Sequence, residues 1–214
     1  MTQEPPRPPV RTTYRHGDLR RALLDAGIEL ARAGGPDAIV LREATRRAGV
    51  VPNAAYRHFA GRQDLLQAVR AEALAALARA MEAELDAIDP TWPEDVRARA
   101  SLRAIGVGYL RFAQTETGLF RTAFAVPDEV ENDADPAKAG NSGLNPFQLL
   151  SLALDRMTAA GVLPSERRPG AEYLAWSAVH GLALLIIDGP LRGRPPEQTG
   201  AIALRVVEMV ENGL

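Results

Sequence analysis

Apolar residues recur at intervals of three and four positions along most of the chain, and strictly alternating runs are nearly absent. That spacing is typical of helices with one buried face. The first such pattern covers residues 18–33, and Gly34-Gly35-Pro36 follows as a stop signal. The sequence therefore predicts an all-α fold.

Two short helices are predicted next, over residues 41–48 and from Pro52 onward. Gly49 ends the first of them, and the fixed φ of Pro52 suits the first position of the second. A longer pattern over residues 62–88 predicts a helix of about 40 Å. Such a helix is long enough to link two modules.

The middle of the chain carries weaker signals. Thr91-Trp92-Pro93-Glu94 has the form of a capping box, and Asn145-Pro146 is a second helix start. A short helix is expected around Leu119. Residues 126–143 have no periodicity and are predicted to form a mobile loop.

The last two predicted helices are apolar on more than one face. Nearly every direction around residues 170–188 carries an apolar or small residue, whereas polar residues in 197–212 form one narrow stripe. Because a single chain has little left to cover these faces, the pattern predicts a homodimer through the last two helices. A central helix pair inside a monomeric bundle is the alternative.

The composition is that of a globular protein, with 46% hydrophobic and 24% charged residues. The absence of cysteine excludes disulfides and thiolate chemistry. The sequence has neither an apolar run of about 20 residues, the length that spans a bilayer, nor a secretory signal. Residues 1–13 hold four prolines and are predicted to be a flexible arm. We therefore expect a soluble cytoplasmic protein with no membrane contact.

The net charge of −2 conceals two unequal parts. Residues 1–70 contain 12 arginines and seven acids, a net charge of +5, whereas residues 71–214 carry −7. A basic module on an acidic body is expected when only that module meets a polyanion, because phosphate is neutralised by local charge. A chance fluctuation of solvated surface charge is the alternative.

The two short helices around Gly49 have the outline of a helix-turn-helix motif. The outline is a weak signal, because many helical hairpins share it. The second helix adds small residues that allow close approach to the major groove, followed by potential phosphate partners. These residues are Asn53, Ala54, Ala55, Tyr56, Arg57 and His58.

This region resembles the DNA-binding region of the tetracycline-repressor (TetR) family of transcriptional regulators. The resemblance is carried by residues 41–59, by Asp64-Leu65-Leu66 and by His16-Gly17-Asp18-Leu19 with Ala22-Leu23. Further on, Gly118-Leu119-Phe120-Arg121 and Trp176-Ser177-Ala178-Val179-His180-Gly181 are similar to the C-terminal subgroup named for its Trp-His-Gly signature. The resemblance implies a three-helix DNA-binding domain over residues 14–61 and a larger helical ligand-binding and dimerisation domain over residues 62–214.

The resemblance also implies a role for each residue of the motif. Asn53, Ala54 and Ala55 would face base edges, Tyr56 and His58 would contact phosphates, and Phe59 would pack inward. Arg62 matches the family's usual lysine at the start of the fourth helix. The full set of predicted DNA-binding residues is Arg42, Val51, Pro52, Asn53, Ala54, Ala55, Tyr56, Arg57, His58 and Arg62.

Some of these assignments leave alternatives open. The family commonly has Ser or Thr where this chain has Val51, so Pro52 must fix the start of the recognition helix instead. Core packing is the alternative for Tyr56. Three arginines of the arm either enter the minor groove or belong to a solvated tail. They are Arg7, Arg11 and Arg15.

Aromatic residues in the larger domain predict an apolar cavity. Tyr173, Trp176 and His180 lie three and four positions apart, on one helix face. The resemblance implies a small-molecule pocket there, and ordinary core packing is the alternative for each residue. The predicted ligand-binding set is Tyr109, Phe112, Phe120, Phe124, Phe147, Met157, Tyr173, Trp176 and His180.

The leading hypothesis is a homodimeric repressor released from its operator by a small apolar or amphipathic effector. An all-α enzyme is the rival class, although no cofactor or metal is predicted, because the three histidines lack metal-ligand spacing and no phosphate-binding glycine motif is present. The abundant carboxylates leave enzyme chemistry open by composition. A DNA-binding dimer without an effector is a third hypothesis.

Overall fold

The fold is known from a computed structural model that describes residues 16–127, 129–131 and 133–214. These ranges contain nine α-helices and no strand, which confirms the all-α prediction. The predicted arm, with its three arginines, lies outside the described residues. The helices are α1 (His16–Gly34), α2 (Leu41–Arg47), α3 (Pro52–Ala55), α4 (Arg62–Leu85), α5 (Glu94–Thr115), α6 (Thr117–Ala123), α7 (Pro146–Ala159), α8 (Ala171–Ile187) and α9 (Pro196–Gly213).

The first three helices surround a small core that also includes the start of α4. Leu23, Ile39 and Phe59 are buried there to within 1% of full exclusion from solvent, which confirms the inward packing predicted for Phe59. Gly49 follows α2 with a φ of +68°, a conformation that side chains other than glycine rarely adopt. The turn it makes brings α3 back against α1 and α2.

The long helix α4 runs from this module into the body of the protein. Near its start, Val69 packs against α1 at Gly27, and near its end Met81 packs against α5 at Gly108. The contiguous apolar core therefore passes from α1 to α9 along α4. No helix in the described ranges has both the length and the apolar character needed to cross a bilayer.

Helix α6 joins the body to α1 on a second side. Gly118 lies so close to α1 that an added Cβ would stand 2.2 Å from the Ala31 carbonyl oxygen. Beside it, Arg32 Nε donates to Glu116 Oε2 at 3.0 Å. The junction between module and body thus depends on a glycine for its close backbone contact.

Two local predictions need correction. Thr91 does not cap a helix, because its hydroxyl and backbone N–H both donate to Asp89 Oδ1 and α5 begins after Pro93. The predicted loop is also more structured than its composition indicates, because residues Pro136–Lys138 form a 3-10 turn that packs on α4. The helix start at Asn145 is confirmed, as a full capping box with Gln148.

Glu82 on α4 anchors the end of that segment. Its carboxylate accepts hydrogen bonds from the backbone N–H groups of Asn141 and Ser142, at 2.8 and 2.9 Å, and from the Ser142 hydroxyl at 2.6 Å. Burial by itself raises the pKa of Glu82, but these hydrogen bonds outweigh it and leave the pKa below its ordinary value. The buried carboxylate is therefore ionised and satisfied at neutral pH.

We expect Glu82→Gln to destabilise the fold by about 1–3 kcal/mol at neutral pH, because an amide accepts these hydrogen bonds less well than a carboxylate. The wild-type advantage is fully present above the unfolded-state pKa and is lost as the pH falls through the lowered folded-state pKa. Thermal melts of both proteins between neutral and acid pH check this. Equal melting temperatures at neutral pH would contradict the anchoring role.

Candidate nucleic-acid interface and internal cavity

Helix α3 and the turn after it present polar side chains to solvent. The helix itself ends at Ala55, and the turn continues through a hydrogen bond from His58 N–H to the Ala55 carbonyl at 2.9 Å. Asn53 and Arg57 are exposed, and Tyr56 is 60% exposed, which argues against core packing for Tyr56. Three side chains able to meet bases or phosphates thus share one accessible segment.

The remaining predicted residues of this segment differ in exposure. Val51 precedes α3 and is 68% exposed, and it makes no side-chain cap, as expected for valine. Ala54 and His58 are half-buried. Pro52 occupies the first position of α3, and its side chain lies outside the described set.

Two predicted DNA contacts are not supported. Ala55 is fully buried, so its predicted contact with base edges is wrong. Arg62 donates from Nε to the Ile39 carbonyl at 2.9 Å and from Nη2 to the Pro36 carbonyl at 2.8 Å. Its guanidinium therefore holds the segment between α1 and α2 against α4, a positioning role in place of the predicted phosphate contact.

Charge pairing within the module selects which arginines are available to a polyanion. Glu43 accepts hydrogen bonds from Arg46 and Arg47, and these hold the pKa of Glu43 at about 2. By contrast, the exposed Arg42 and Arg57 have no hydrogen-bond or ion-pair partner among the described residues. The net positive charge of the module is therefore concentrated around α3 and the start of α2.

The body of the protein encloses a cavity of about 650 Å³. Its wall is mostly apolar and is formed by α4, α5, α7, α8, α9 and the end of α6. Six predicted ligand-binding residues line it: Tyr109, Phe124, Phe147, Tyr173, Trp176 and His180. An apolar cavity of this size with a few polar groups is typical of small-molecule sites.

Three polar groups in the wall form a hydrogen-bonded chain. Trp176 Nε1–H donates to the Tyr109 hydroxyl at 3.0 Å, and that hydroxyl lies 2.6 Å from His180 Nδ1. Tyr109 is only 3% exposed, and its burial raises the pKa of the phenol, which keeps its proton. Burial also lowers the pKa of His180, so the imidazole is neutral at neutral pH.

Three other predicted ligand-binding residues do not reach the cavity. Phe112, Phe120 and Met157 are at most 4% exposed and belong to the surrounding core. Phe120 packs edge-on against Tyr109, with ring centroids 5.4 Å apart, and so supports the wall from behind. Their predicted contact with a ligand is wrong, because helical spacing alone cannot separate a cavity wall from the core behind it.

Aliphatic residues of four helices complete the wall and were missed in the sequence. They include Leu74, Met81, Leu102, Ile105, Leu150, Val207 and Val210. Each continues the periodic apolar pattern of its helix, so no local signal distinguishes it from a core residue. The charged residues among the described lining are Arg70, Asp133 and Lys138, of which the last two form an ion pair.

A basic helix-turn-helix module joined to a helical body is the architecture of a DNA-binding transcriptional regulator. Residues 23–69 match the family described as bacterial regulatory proteins, tetR family. Residues 102–210 match the domain described as tetracyclin repressor-like, C-terminal domain. The chain belongs to the TetR family, whose members are transcriptional regulators and not enzymes. The narrower Trp-His-Gly subgroup stays a prediction.

Solved structures share this fold. A protein with unknown function from Rhodococcus sp. RHA1 is similar over 95% of this chain and 99% of its own, with 25% identity and a TM-score of 0.73. The TetR family transcriptional regulator PfmR from Thermus thermophilus is similar over 90% and 98%, with 17% identity and a TM-score of 0.56. A bacterial regulatory protein in the tetR family from Rhodococcus RHA1 covers 90% and 96%, with 15% identity and a TM-score of 0.54. No curated protein sequence matches the chain.

Proposed function

We propose that the protein is a homodimeric repressor that places two α3 segments in successive major grooves of an operator and leaves the DNA when a small, mostly apolar effector fills the cavity. The observation that carries the DNA-binding part is the exposed group formed by Asn53, Tyr56, Arg57 and Arg42. Arg42 and Arg57 retain their full charge for phosphate, because no acid among the described residues pairs with them.

An apolar stripe on α8 supports the dimer. Leu174, Ser177, Gly181 and Leu185 are all exposed, and their spacing places them on one side of the helix. An added Cβ at Gly181 would meet nothing within 4 Å, so the centre of the stripe is open to a partner helix. On α9, Leu204 and Met209 are 53% and 61% exposed and would extend the same face.

A two-fold dimer built on this face would set the distance between the two α3 segments. Productive binding to successive grooves needs a centre-to-centre separation of about 34 Å. The cavity adjoins the element that controls this separation, because Leu74 and Met81 of α4 line it and the same helix begins beside α3. An effector would release DNA only to the extent that it binds better to a different orientation of α4.

Two substitutions separate phosphate contact from base contact. Arg42→Ala should weaken binding to operator and non-operator DNA alike and reduce the salt slope by about 1 per copy, since one phosphate contact is lost. Asn53→Ala should instead relax preference at one base pair, at a cost of about 1–3 kcal/mol on the preferred sequence. Selection of bound DNA from a random pool, followed by titrations at several salt concentrations, measures both effects.

Arg192→Ala, which removes an exposed arginine between α8 and α9, is the matched control and should leave both quantities unchanged. A sequence-specific defect in Arg42→Ala, or uniform weakening in Asn53→Ala, would exchange the two assigned roles. If the wild-type protein selected no sequence from the pool, the proposed function would be wrong.

A further inference from the structure

The polar chain in the cavity fixes which hydrogen-bonding group His180 offers to a ligand. The Tyr109 hydroxyl accepts from Trp176 Nε1–H and has, among the described residues, no acceptor in reach other than His180 Nδ1, at 2.6 Å. A phenol carries one proton, so that proton points to Nδ1. Nδ1 is then an acceptor, and the neutral imidazole carries its own proton on Nε2.

The second ring nitrogen of His180 is available to the cavity. His180 lines the cavity and is half-buried, and its Nε2 makes no hydrogen bond with any described residue. Nε2 is also not among the fully buried polar atoms that lack a partner, so it is accessible. The wall therefore presents one neutral N–H donor amid aromatic and aliphatic surface.

The charged groups of the wall are already engaged. Lys138 and Asp133 form an ion pair, and Arg70 Nε donates to the Ala123 carbonyl at 3.0 Å while the residue is only 6% exposed. A ligand with a formal charge would lose its hydration in this apolar space without gaining an opposite charge. An uncharged ligand avoids that cost.

We propose that the effector is an uncharged, largely apolar molecule with a carbonyl-type oxygen, such as an ester, lactone or ketone, and that this oxygen accepts a hydrogen bond from His180 Nε2–H. Tyr109 is a positioning residue in this scheme, because it sets the imidazole tautomer without touching the ligand's oxygen. The inference deepens the proposed effector-controlled function and rests on the cavity being the effector site.

Direct binding measurements test the inference without DNA. The chain has two tryptophans, and Trp92 is 45% exposed and outside the cavity wall, so Trp92→Phe leaves Trp176 as a fluorescent reporter. The probes are methyl decanoate, decane, decanoate and decylamine, which share an apolar chain and differ in the head group. We expect the ester to bind about tenfold more tightly than decane, as one net hydrogen bond allows, and more tightly than either charged probe.

Variants assign the preference to the polar chain. His180→Leu should lower ester affinity to that of decane, whereas His180→Gln, which keeps a neutral N–H donor, should retain part of the preference. Phe147→Leu is the matched control in the same wall and should change ester and decane affinity by the same factor. Equal affinity of the wild type for ester and decane, tighter binding of decanoate or decylamine, or no binding of any probe would overturn the proposal.

The tautomer has its own readout in the intact protein. Nitrogen-15 shifts of His180, distinguished from His16 and His58 by substitution, should show a proton on Nε2 in the wild type and a mixture of tautomers in Tyr109→Phe. A proton on Nδ1 in the wild type would overturn the inference even if the ester binds. A protein that binds the ester but keeps its operator would instead contradict the proposed release mechanism and leave this inference intact.

Discussion

Glutamate in place of Leu185 is expected to convert the protein to monomers and to abolish operator binding at concentrations that saturate the wild type. Leu185 is 44% exposed at the end of the apolar stripe on α8. In the proposed dimer the new carboxylate would be buried without a partner, at a cost of about 3 kcal/mol or more per copy. Two-fold symmetry applies this cost twice, so the dimer dissociation constant should rise by about four orders of magnitude.

Sedimentation velocity of wild type and variant measures this effect. Leu152→Glu provides the control, because Leu152 is 40% exposed on α7 and lies outside the α8 and α9 faces. It introduces the same charge at a similar exposure and should leave the dimer intact. A dimer of unchanged stability in Leu185→Glu would refute the assignment of the α8 stripe to the interface.

Gly118→Ala is expected to separate α6 from α1 and to destabilise the fold by about 2 kcal/mol or more, or about 4–8 °C in melting temperature. The added Cβ would lie 2.2 Å from the Ala31 carbonyl oxygen and 2.5 Å from that of Arg32. Both are backbone atoms, so the clash cannot be relieved by a side-chain rotation. Operator affinity should also fall, since the DNA-binding module is held against the body at this point.

Gly200→Ala is the control for the change of residue type. Gly200 lies within α9, and an added Cβ there would meet nothing within 4 Å. Because alanine is favoured over glycine in a helix, this variant should melt at the same temperature or slightly higher. If Gly118→Ala behaved in the same way, the close contact between α6 and α1 would not exist in solution.

The order and type of the helices could be predicted because the chain marks most helix ends with glycine and proline. Gly49, Pro52 and Asn145-Pro146 each occur where the structure ends or begins a helix. Thr91 was misleading, because Asp89 two residues earlier competes for its hydroxyl and backbone N–H. Local chemistry is thus a good guide to helix ends until a second polar side chain offers the same atoms another partner.

The candidate sites were less predictable because they depend on which side of a helix faces the rest of the molecule. Ala54 and Ala55 are identical in the sequence, yet Ala55 is fully buried and Ala54 is not. Arg62 was expected to contact phosphate, but the carbonyls of Ile39 and Pro36, more than 20 residues away, take up its donors. Such contacts arise from tertiary packing and have no signature within the motif itself.

The length of α4 has a mechanical consequence. From Met81 in the cavity wall to Arg62 at the first turn is 19 residues, a distance of about 28 Å along a straight helix. A rotation of roughly 5° about Met81 therefore displaces Arg62 by about 2.5 Å, and two copies turning in opposite directions change their spacing by about 5 Å. A side-chain rearrangement of a few tenths of an ångström at one end of this rod is amplified into a mismatch with the helical repeat of DNA at the other.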